Sequence, residues 1–168
     1  MERHQIQYET VRFNLNGRDV ERTVDVRASL TDMLRNDFRM TSVKKGCEVG
    51  ECGACTVLID GETFNSCIYL AVWAKGKRIR TLEGVLGPDG QLSDVQRVFV
   101  EEGAIQCGFC TPGFVLTAEE ILETGREYTD EQLRKLLSGH LCRCTGYENI
   151  LRAVKKAMYR RLGKEPPQ

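Results

Sequence analysis

Residues 46–57 read GCEVGECGACTV, and this stretch decides how the first half of the chain folds. It places Cys47, Cys52 and Cys55 within nine residues, with glycine at three of the positions between or beside them. Glycine permits the positive φ angles and the close backbone approach of a loop whose N–H groups point at a bound anion. The stretch therefore predicts a tight loop that wraps around a metal centre held by cysteine thiolates.

The spacing of these cysteines matches the loop of plant-type ferredoxins, which holds a [2Fe–2S] cluster. A fourth ligand follows from the hairpin TVLIDGETF, which turns at Asp60-Gly61. With a two-residue turn, Cys67 faces Ala54 beside Cys55, and facing residues of antiparallel strands lie roughly 4.5–5.5 Å apart. Cys67 therefore closes a first set of four thiolates. The alternatives are structural zinc, whose sites ordinarily use two short C-x2–4-C knuckles, and a redox-active cysteine pair.

Four further cysteines lie in the second half, in QCGFCTPG and HLCRCTGYE: Cys107, Cys110, Cys142 and Cys144. Each pair precedes a predicted helix, one opened by Thr111-Pro112 and one by Thr145, so the positive ends of two helix dipoles favour an anionic cluster. The Cys-x-Cys pair suits metal ligation better than a disulfide, because its Cα atoms would lie about 6.6 Å apart in extended backbone. Taken alone, this group leaves zinc open. The ferredoxin-like loop in the same chain favours a second cluster and a redox relay.

The first half of the sequence predicts a sheet with one helix. Val11, Phe13 and Leu15 alternate with polar residues before an Asn16-Gly17 hairpin turn, and Val20, Val24 and Val26 are the expected inward positions of the next strand. Ser29 is the expected N-cap of a helix. Its apolar residues repeat at helical spacing: Leu30, Met33, Leu34 and Phe38. With a last strand in KRIRTLE, residues 77–83, the pattern predicts a compact α+β unit.

The second half predicts four helices. Three begin at capping boxes, which pair Ser93 with Gln96, Thr129 with Gln132 and Thr145 with Glu148, and the fourth has Thr111 as a cap before Pro112. Glycine-rich residues 84–90 predict a hinge. We therefore divide the chain into a ferredoxin-like domain at 1–84 and a helical domain at 85–168.

The composition narrows the functional classes. The chain has 168 residues, a formal net charge of zero and 41% hydrophobic residues, which gives no sign of nucleic-acid or anionic-membrane binding. Its polar start, MERHQIQYETVRF, predicts no secretory signal, and no apolar run is long enough to span a bilayer. Eight cysteines in two sets of four suit a reducing cytoplasm and metal binding. No dinucleotide-binding, P-loop or nucleophile–base motif is present, so we expect no catalytic residue on this chain.

With both cysteine groups considered, the sequence resembles the small iron–sulfur subunit of the molybdenum hydroxylases, the xanthine oxidase family. The resemblance covers about residues 11–158 and rests on GCEVGECGACTV, IQCGFCTPG and LCRCTGY; NSCIYLAVWAKGKRIRTLEG is most similar to bacterial xanthine dehydrogenase subunits. It implies a β-grasp ferredoxin domain with one [2Fe–2S] cluster, then a four-helix domain with the other. It also implies that all eight cysteines are ligands and that Gln106 contacts the pterin.

The resemblance further implies a large molybdopterin subunit and a medium FAD subunit as partners, in a dimer of heterotrimers. Electrons from purine hydroxylation would pass through the helical-domain cluster, then the ferredoxin-domain cluster, to FAD and finally NAD. Carbon monoxide, nicotinate, isoquinoline, aldehyde and hydroxybenzoyl-CoA enzymes carry similar subunits and stay open. A free-standing two-cluster ferredoxin and a zinc-stapled interaction module are rival interpretations.

Several charged and aromatic residues near the cysteines have more than one interpretation. Arg143, Lys44 and Lys45 could offset cluster charge, although a solvated or docking role is favoured. His140 is interpreted as a loop residue, since eight cysteines already fill the ligand positions, and Phe109 as a buried shield over the second cluster. The last helix is expected to present a solvated basic face: Arg152, Lys155, Lys156, Arg160 and Arg161.

Overall fold

A computed structural model describes residues 7–165, so the first six residues of the polar N-terminal stretch lie outside it. The first half, the sheet half, contains five strands: β1 (Tyr8–Leu15), β2 (Arg18–Asp25), β3 (Thr56–Ile59), β4 (Glu62–Asn65) and β5 (Arg78–Arg80). Their order in the sheet is β2-β1-β5-β3-β4. β1 and β5 run parallel at the centre, and the other neighbours are antiparallel. The last strand predicted in KRIRTLE is confirmed as β5.

Both predicted hairpins are present in the predicted register. Leu15 pairs with Arg18 across Asn16-Gly17, and Ile59 pairs with Glu62 across Asp60-Gly61. All four turn residues have positive φ, from 52° at Asn16 to 100° at Gly61. Two-residue hairpins need this conformation because its twist matches that of the flanking strands.

The core of the sheet half follows the predicted alternation on β1. Val11, Phe13 and Leu15 are buried. On β2 only Val24 is buried, while Val20 is half-buried, because β2 lies at the edge of the sheet.

The predicted helix packs against this sheet. It consists of α1 (Leu30–Asp32) and a π-helical turn (Met33–Asp37), and its apolar residues join the same core. The hydroxyl of Ser29 accepts from the Asp32 N–H at 3.1 Å, which confirms the N-cap.

The second half, the helical half, contains the four predicted helices: α2 (Asp94–Glu101), α3 (Thr111–Glu123), α4 (Asp130–Leu137) and α5 (Glu148–Arg161). The capping boxes at Ser93 and Thr129 are both formed. Phe99, Phe114 and Leu133 are fully buried in the core that the helices share. The predicted class is confirmed: an α+β unit followed by an all-helical one.

The other two helix starts differ from the prediction. Cys110 is the N-cap of α3, so Thr111 lies inside its first turn. The capping box at Thr145 is wrong, because α5 begins at Glu148, after Tyr147 in a left-handed conformation with φ of 68°. The Thr145 hydroxyl instead lies 3.1 Å from the Cys142 sulfur and accepts from the Tyr147 N–H at 3.2 Å. The Tyr147 N–H thus occupies the hydroxyl oxygen that the sequence pattern assigned to the Glu148 N–H.

The basic residues of α5 do not form the purely solvated face that was expected. Lys155 pairs with Asp130 at 2.7 Å, and Lys156 pairs with Glu102 at 2.6 Å. Arg160 pairs with Glu101 at 2.8 Å. Each pair is exposed enough to contribute little by itself. Together they connect α5 to α2 and α4.

The two halves pack directly against each other through α3 and the β3–β4 side of the sheet. Leu58 on β3 belongs to the hydrophobic core of the helical half rather than to that of the sheet half. Around it, Thr63 donates to Glu120 at 2.7 Å and Arg80 pairs with Glu123 at 2.5 Å. This contact places the two cysteine-bearing regions beside each other.

Across residues 7–165, none of the helices combines the length and the apolar character needed to cross a bilayer.

Candidate metal centres

The four cysteines of the first group, here called the first quartet, come together although Cys67 is distant in sequence. Cys55 precedes β3 and Cys67 follows β4, so the hairpin brings them side by side. The Cys67 side chain lies close enough to Cys55 to act on the pKa of its thiol, and the Cys52 side chain does the same to Cys47. Cys52 also acts electrostatically on Cys55, which links the two pairs.

The loop directs backbone N–H groups at the first quartet. The Cys47 sulfur accepts from the Val49 N–H at 3.4 Å and from the Glu51 N–H at 3.3 Å. These donors lower the pKa of the Cys47 thiol to about 7. Positive φ angles at Glu48, Gly50 and Gly53 let the chain turn its N–H groups inward. By contrast, burial raises the pKa of Cys55 to about 11.

Side chains that the sequence analysis did not identify hold this loop in place. Asn65 donates from Nδ2 to the Gly50 carbonyl at 2.8 Å. The buried Ser66 hydroxyl donates to the Cys55 carbonyl at 2.6 Å and shares a second hydrogen bond with Thr31, also at 2.6 Å. In the sequence, the only sign of this role is that Asn65 and Ser66 directly precede Cys67. Their acceptors in the loop are visible only once the hairpin is formed.

The second quartet also comes together as two thiol pairs. Cys142 lies close enough to Cys110, and Cys107 close enough to Cys144, for each pair to share an interaction that shifts a thiol pKa. Cys107 acts electrostatically on Cys110, and Cys142 on Cys144, which links the pairs. Burial raises the pKa of Cys110 to about 12. α5 begins only at Glu148, so the helix that follows the second cysteine pair starts later than the sequence predicted.

Cys142 receives its hydrogen bonds from the turn that follows it. Burial alone would raise the pKa of Cys142, but the hydroxyl and the N–H of Thr145 lower it to about 7. The Cys142 N–H donates to the Tyr147 hydroxyl at 2.9 Å, which fixes the backbone of the ligand loop. Thr145, which the sequence analysis used only as a helix-start signal, and Tyr147, to which it gave no role, therefore hold this loop.

The second quartet lies nearer to the surface than was expected. Cys107 and Cys144 are exposed, as is Gln106. Phe109 is 46% exposed, so the prediction of a buried shield is wrong in this chain. Its ring lies over the loop that carries Cys47, Cys52 and Cys55 (residues 46–55, here called the first ligand loop), where an added Cβ on Gly46 would come within 3.6 Å of it.

His140 lies in the loop between α4 and α5, as the sequence suggested, but its side chain is buried. It is only 6% exposed and lies at the interface between the two halves. Its Nε2 shares a 2.7 Å hydrogen bond with Thr117 on α3, while burial lowers the pKa of the imidazole to about 4. The next residue joins the two ligand loops, because the Leu141 N–H donates to the Cys52 carbonyl at 3.0 Å.

The donor chemistry of both quartets fits an iron–sulfur cluster. Each offers four thiol sulfurs, the ligand type of such clusters, and backbone N–H or hydroxyl donors reach at least one sulfur in each. Among residues 7–165, no group of three or more His, Cys, Asp or Glu side chains is arranged to hold a single metal ion.

Comparison with known proteins identifies the family. A model described as "2Fe-2S iron-sulfur cluster binding domain" matches residues 13–79, and one described as "[2Fe-2S] binding domain" matches residues 81–155. The small FeS subunit of nicotinate dehydrogenase from Eubacterium barkeri is 48% identical over 90% of this chain and 96% of its own length. This chain is an iron–sulfur small subunit of the molybdenum hydroxylase family. The xanthine dehydrogenase iron-sulfur-binding subunit of Escherichia coli O157:H7 is 47% identical over 86% of this chain and 91% of that one.

A solved structure supports the same family fold. In the crystal structure of quinoline 2-oxidoreductase from Pseudomonas putida 86, a chain superposes with a TM-score of 0.87 at 40% identity, covering 94% of this chain and 99% of that one. The predicted order of a ferredoxin-like domain and a helical [2Fe–2S]-binding domain is thus confirmed. This small subunit has two [2Fe–2S]-binding domains and belongs to an oxidoreductase complex, which excludes the zinc-stapled module.

The charged residues near the clusters of this small subunit are partly neutralised. Lys45 pairs with Asp32 at 2.7 Å and with Glu48 at 3.2 Å, and the hydrogen bond to Asp32 raises the pKa of Lys45. Lys44 donates to a backbone carbonyl at 2.7 Å. Arg143 is exposed between two cysteines. The Lys45 ion pairs weaken the interpretation of that residue as a free counterion of the first cluster.

The interface between the halves gives a prediction of known sign. Gly113 on α3 abuts Gly53 so closely that an added Cβ would overlap the Gly53 carbonyl oxygen. We expect Gly113→Ala to lower the free energy of unfolding by about 1–3 kcal/mol, the usual range for overpacking. Helix propensity alone predicts the opposite sign, a gain of about 0.5–1 kcal/mol.

Chemical denaturation of the full chain measures this change. Gly139→Ala is the matched control, because an added Cβ there meets no atom within 4 Å. A Gly113→Ala protein as stable as the unsubstituted chain would show that the two halves are not in close backbone contact.

Proposed function

We propose that this small subunit carries electrons within a xanthine dehydrogenase-type complex, from a molybdopterin centre on a large subunit to FAD on a medium subunit. The observation that carries the proposal is the 3.0 Å hydrogen bond from the Leu141 N–H to the Cys52 carbonyl. It connects a loop of one quartet directly to a loop of the other. A chain that holds two redox sites in such contact is suited to passing electrons between them.

We assign the ligands of the two clusters to the two quartets. The first cluster is held by Cys47, Cys52, Cys55 and Cys67, and the second by Cys107, Cys110, Cys142 and Cys144. When bound, each cluster supplies one-electron redox chemistry. The protein's own contribution is to position the thiolates, donate hydrogen bonds to sulfur and exclude water at the buried Cys55 and Cys110. We place the domain boundary between residues 84 and 85 and assign no catalytic residue to this chain.

The exposed parts of the two quartets suggest where the partners bind. Gln106 and the neighbouring Cys107 are exposed at the second quartet, so we place the large subunit there, with Gln106 contacting the pterin. Val49, in the first ligand loop, is 64% exposed and is apolar. We place the medium FAD subunit against this loop. Electrons would then enter at the second cluster and leave from the first. We propose that the whole complex is a dimer of heterotrimers in the reducing cytoplasm, and that it binds neither nucleic acid nor a membrane.

Members of the family act on different substrates, so the substrate of this complex is a separate proposal. The named relatives act on nicotinate, xanthine and quinoline, which are all nitrogen-containing aromatic rings. We propose xanthine or hypoxanthine as the substrate and NAD as the final acceptor. Nicotinate is the second candidate, because the nicotinate dehydrogenase relative is as similar as the xanthine dehydrogenase relative, at 48% and 47% identity.

Steady-state assays of the purified complex test the substrate. We expect xanthine or hypoxanthine to reduce NAD and nicotinate to give no comparable rate. Turnover of nicotinate without turnover of xanthine would replace the first candidate by the second and leave the electron-transfer role intact. Isolation of this chain as a lone shuttle, with no large subunit attached, would contradict the complex itself.

Cysteine substitutions test the ligand assignment. We expect Cys67→Ser and Cys144→Ser each to remove one cluster, which lowers the iron content by about two atoms per chain from about four. Each variant should lose a different one of the two paramagnetic signals seen after reduction with dithionite. Ser138→Ala is the matched control, since Ser138 is exposed and only hydrogen-bonds to the Lys135 carbonyl. Loss of the same signal in both cysteine variants would contradict the assignment of separate quartets.

Thr145 provides a test of how the second cluster is tuned. Hydrogen bonds to ligand sulfurs contribute to the reduction potential of such clusters. Thr145→Val removes the hydroxyl 3.1 Å from the Cys142 sulfur, so we expect the potential of the second cluster to fall. The shift should be on the order of 60 mV, the equivalent of one hydrogen bond of about 1.4 kcal/mol.

Redox titration followed by electron paramagnetic resonance measures this potential. Thr145→Ser keeps the hydroxyl and should restore the original value. The potential of the first cluster should stay constant in both variants. An unchanged second-cluster potential in Thr145→Val would show that the hydroxyl does not act on the sulfur.

A further inference from the structure

The ring of His140 fills the space beside a close backbone contact between the two halves, at Gly53 and Gly113. Gly53 lies in the first ligand loop and Gly113 in the first turns of α3. An added Cβ on either glycine would collide with the His140 ring. The ring therefore takes up room that both glycines leave free, and it touches one element from each half.

The ring is also fixed in orientation. Nε2 shares a 2.7 Å hydrogen bond with the Thr117 hydroxyl, and the centroid of the Phe114 ring lies 4.7 Å from that of the imidazole. Nδ1 is buried and faces the backbone of Gly53 in the first ligand loop. The ring is thus held between Thr117 on α3 and that loop.

The position of His140 along the chain places it next to ligands of both quartets. Gly53, which the ring touches, is bonded to Cys52 of the first quartet. His140 is itself two residues before Cys142 of the second quartet, and the intervening Leu141 makes the hydrogen bond to the Cys52 carbonyl. A shift of this ring would thus move one ligand loop relative to the other.

We propose that His140 is a positioning residue for electron transfer between the two clusters, whose ring sets the separation and mutual orientation of the two ligand loops. The inference rests on the proposed function, because it needs both clusters to be present. The step it serves moves one electron from the second cluster, which is oxidised, to the first, which is reduced. No bond forms or breaks, and His140 itself exchanges neither an electron nor a proton.

The magnetic interaction between the two reduced clusters measures their separation directly. We compare the full chain with His140→Ala, which removes the ring, and His140→Gln, whose side-chain amide can still reach Thr117. Thr117→Val removes the anchor and keeps the ring, and Ser138→Ala is an exposed control two residues away. Each protein is reduced with dithionite, assayed for iron and recorded by electron paramagnetic resonance.

We expect His140→Ala to retain both clusters and both sets of g values but to lose spin–spin splitting. His140→Gln should recover most of the splitting, Thr117→Val should lose part of it, and the control should match the unsubstituted chain. If His140→Ala fails to retain its clusters, the spin–spin splitting in His140→Gln and Thr117→Val tests the proposal instead.

Two failures can be told apart in this experiment. Full splitting in both His140→Ala and Thr117→Val overturns the positioning role of His140 and leaves the proposed electron relay intact. If His140→Ala binds no cluster, full splitting in Thr117→Val has the same meaning. An unsubstituted chain that lacks two distinct paramagnetic signals instead contradicts the proposed function itself.

Discussion

The arrangement of this small subunit depends on a close approach of two backbones. α3 of the helical half lies against the first ligand loop at Gly113 and Gly53, where there is no room for a side chain. Close packing of this kind leaves few alternative positions for either partner. Because each of these segments carries or adjoins cysteines, the contact fixes the relation between the two thiol quartets as well as the relation between the two halves.

Within each quartet, different elements solve the problem of gathering four thiols. In the first, a two-residue turn at Asp60-Gly61 sets the strand register and returns Cys67 to Cys55. In the second, the start of α3 supplies one pair and the loop between α4 and α5 supplies the other. Both sites also place hydrogen-bond donors near a cysteine sulfur, from the backbone at Cys47 and from Thr145 at Cys142. The electronic environments of the two sites therefore differ in kind.

Much of this could be predicted from local patterns in the sequence. The hairpin at Asn16-Gly17, the cap at Ser29 and the boxes at Ser93 and Thr129 are decided by a few neighbouring residues, and all are confirmed. The cap at Thr145 was wrong because its hydroxyl oxygen accepts from the Tyr147 N–H, before the helix begins. The burial of His140 was missed because it arises from contact between the two halves. A local sequence pattern carries no information about the contacts that a segment makes with a distant part of the chain.

The position of Leu58 has a consequence for the modularity of the molecule. This side chain is carried by β3 but is buried in the core of the helices, at 1% exposure. A fragment ending after β5 would present an uncovered leucine together with the surface that α3 normally covers, which invites aggregation. The ferredoxin-like unit thus depends on the helical half to cover the β3–β4 side of its sheet. Transferring it to an unrelated redox protein would require redesign of that surface.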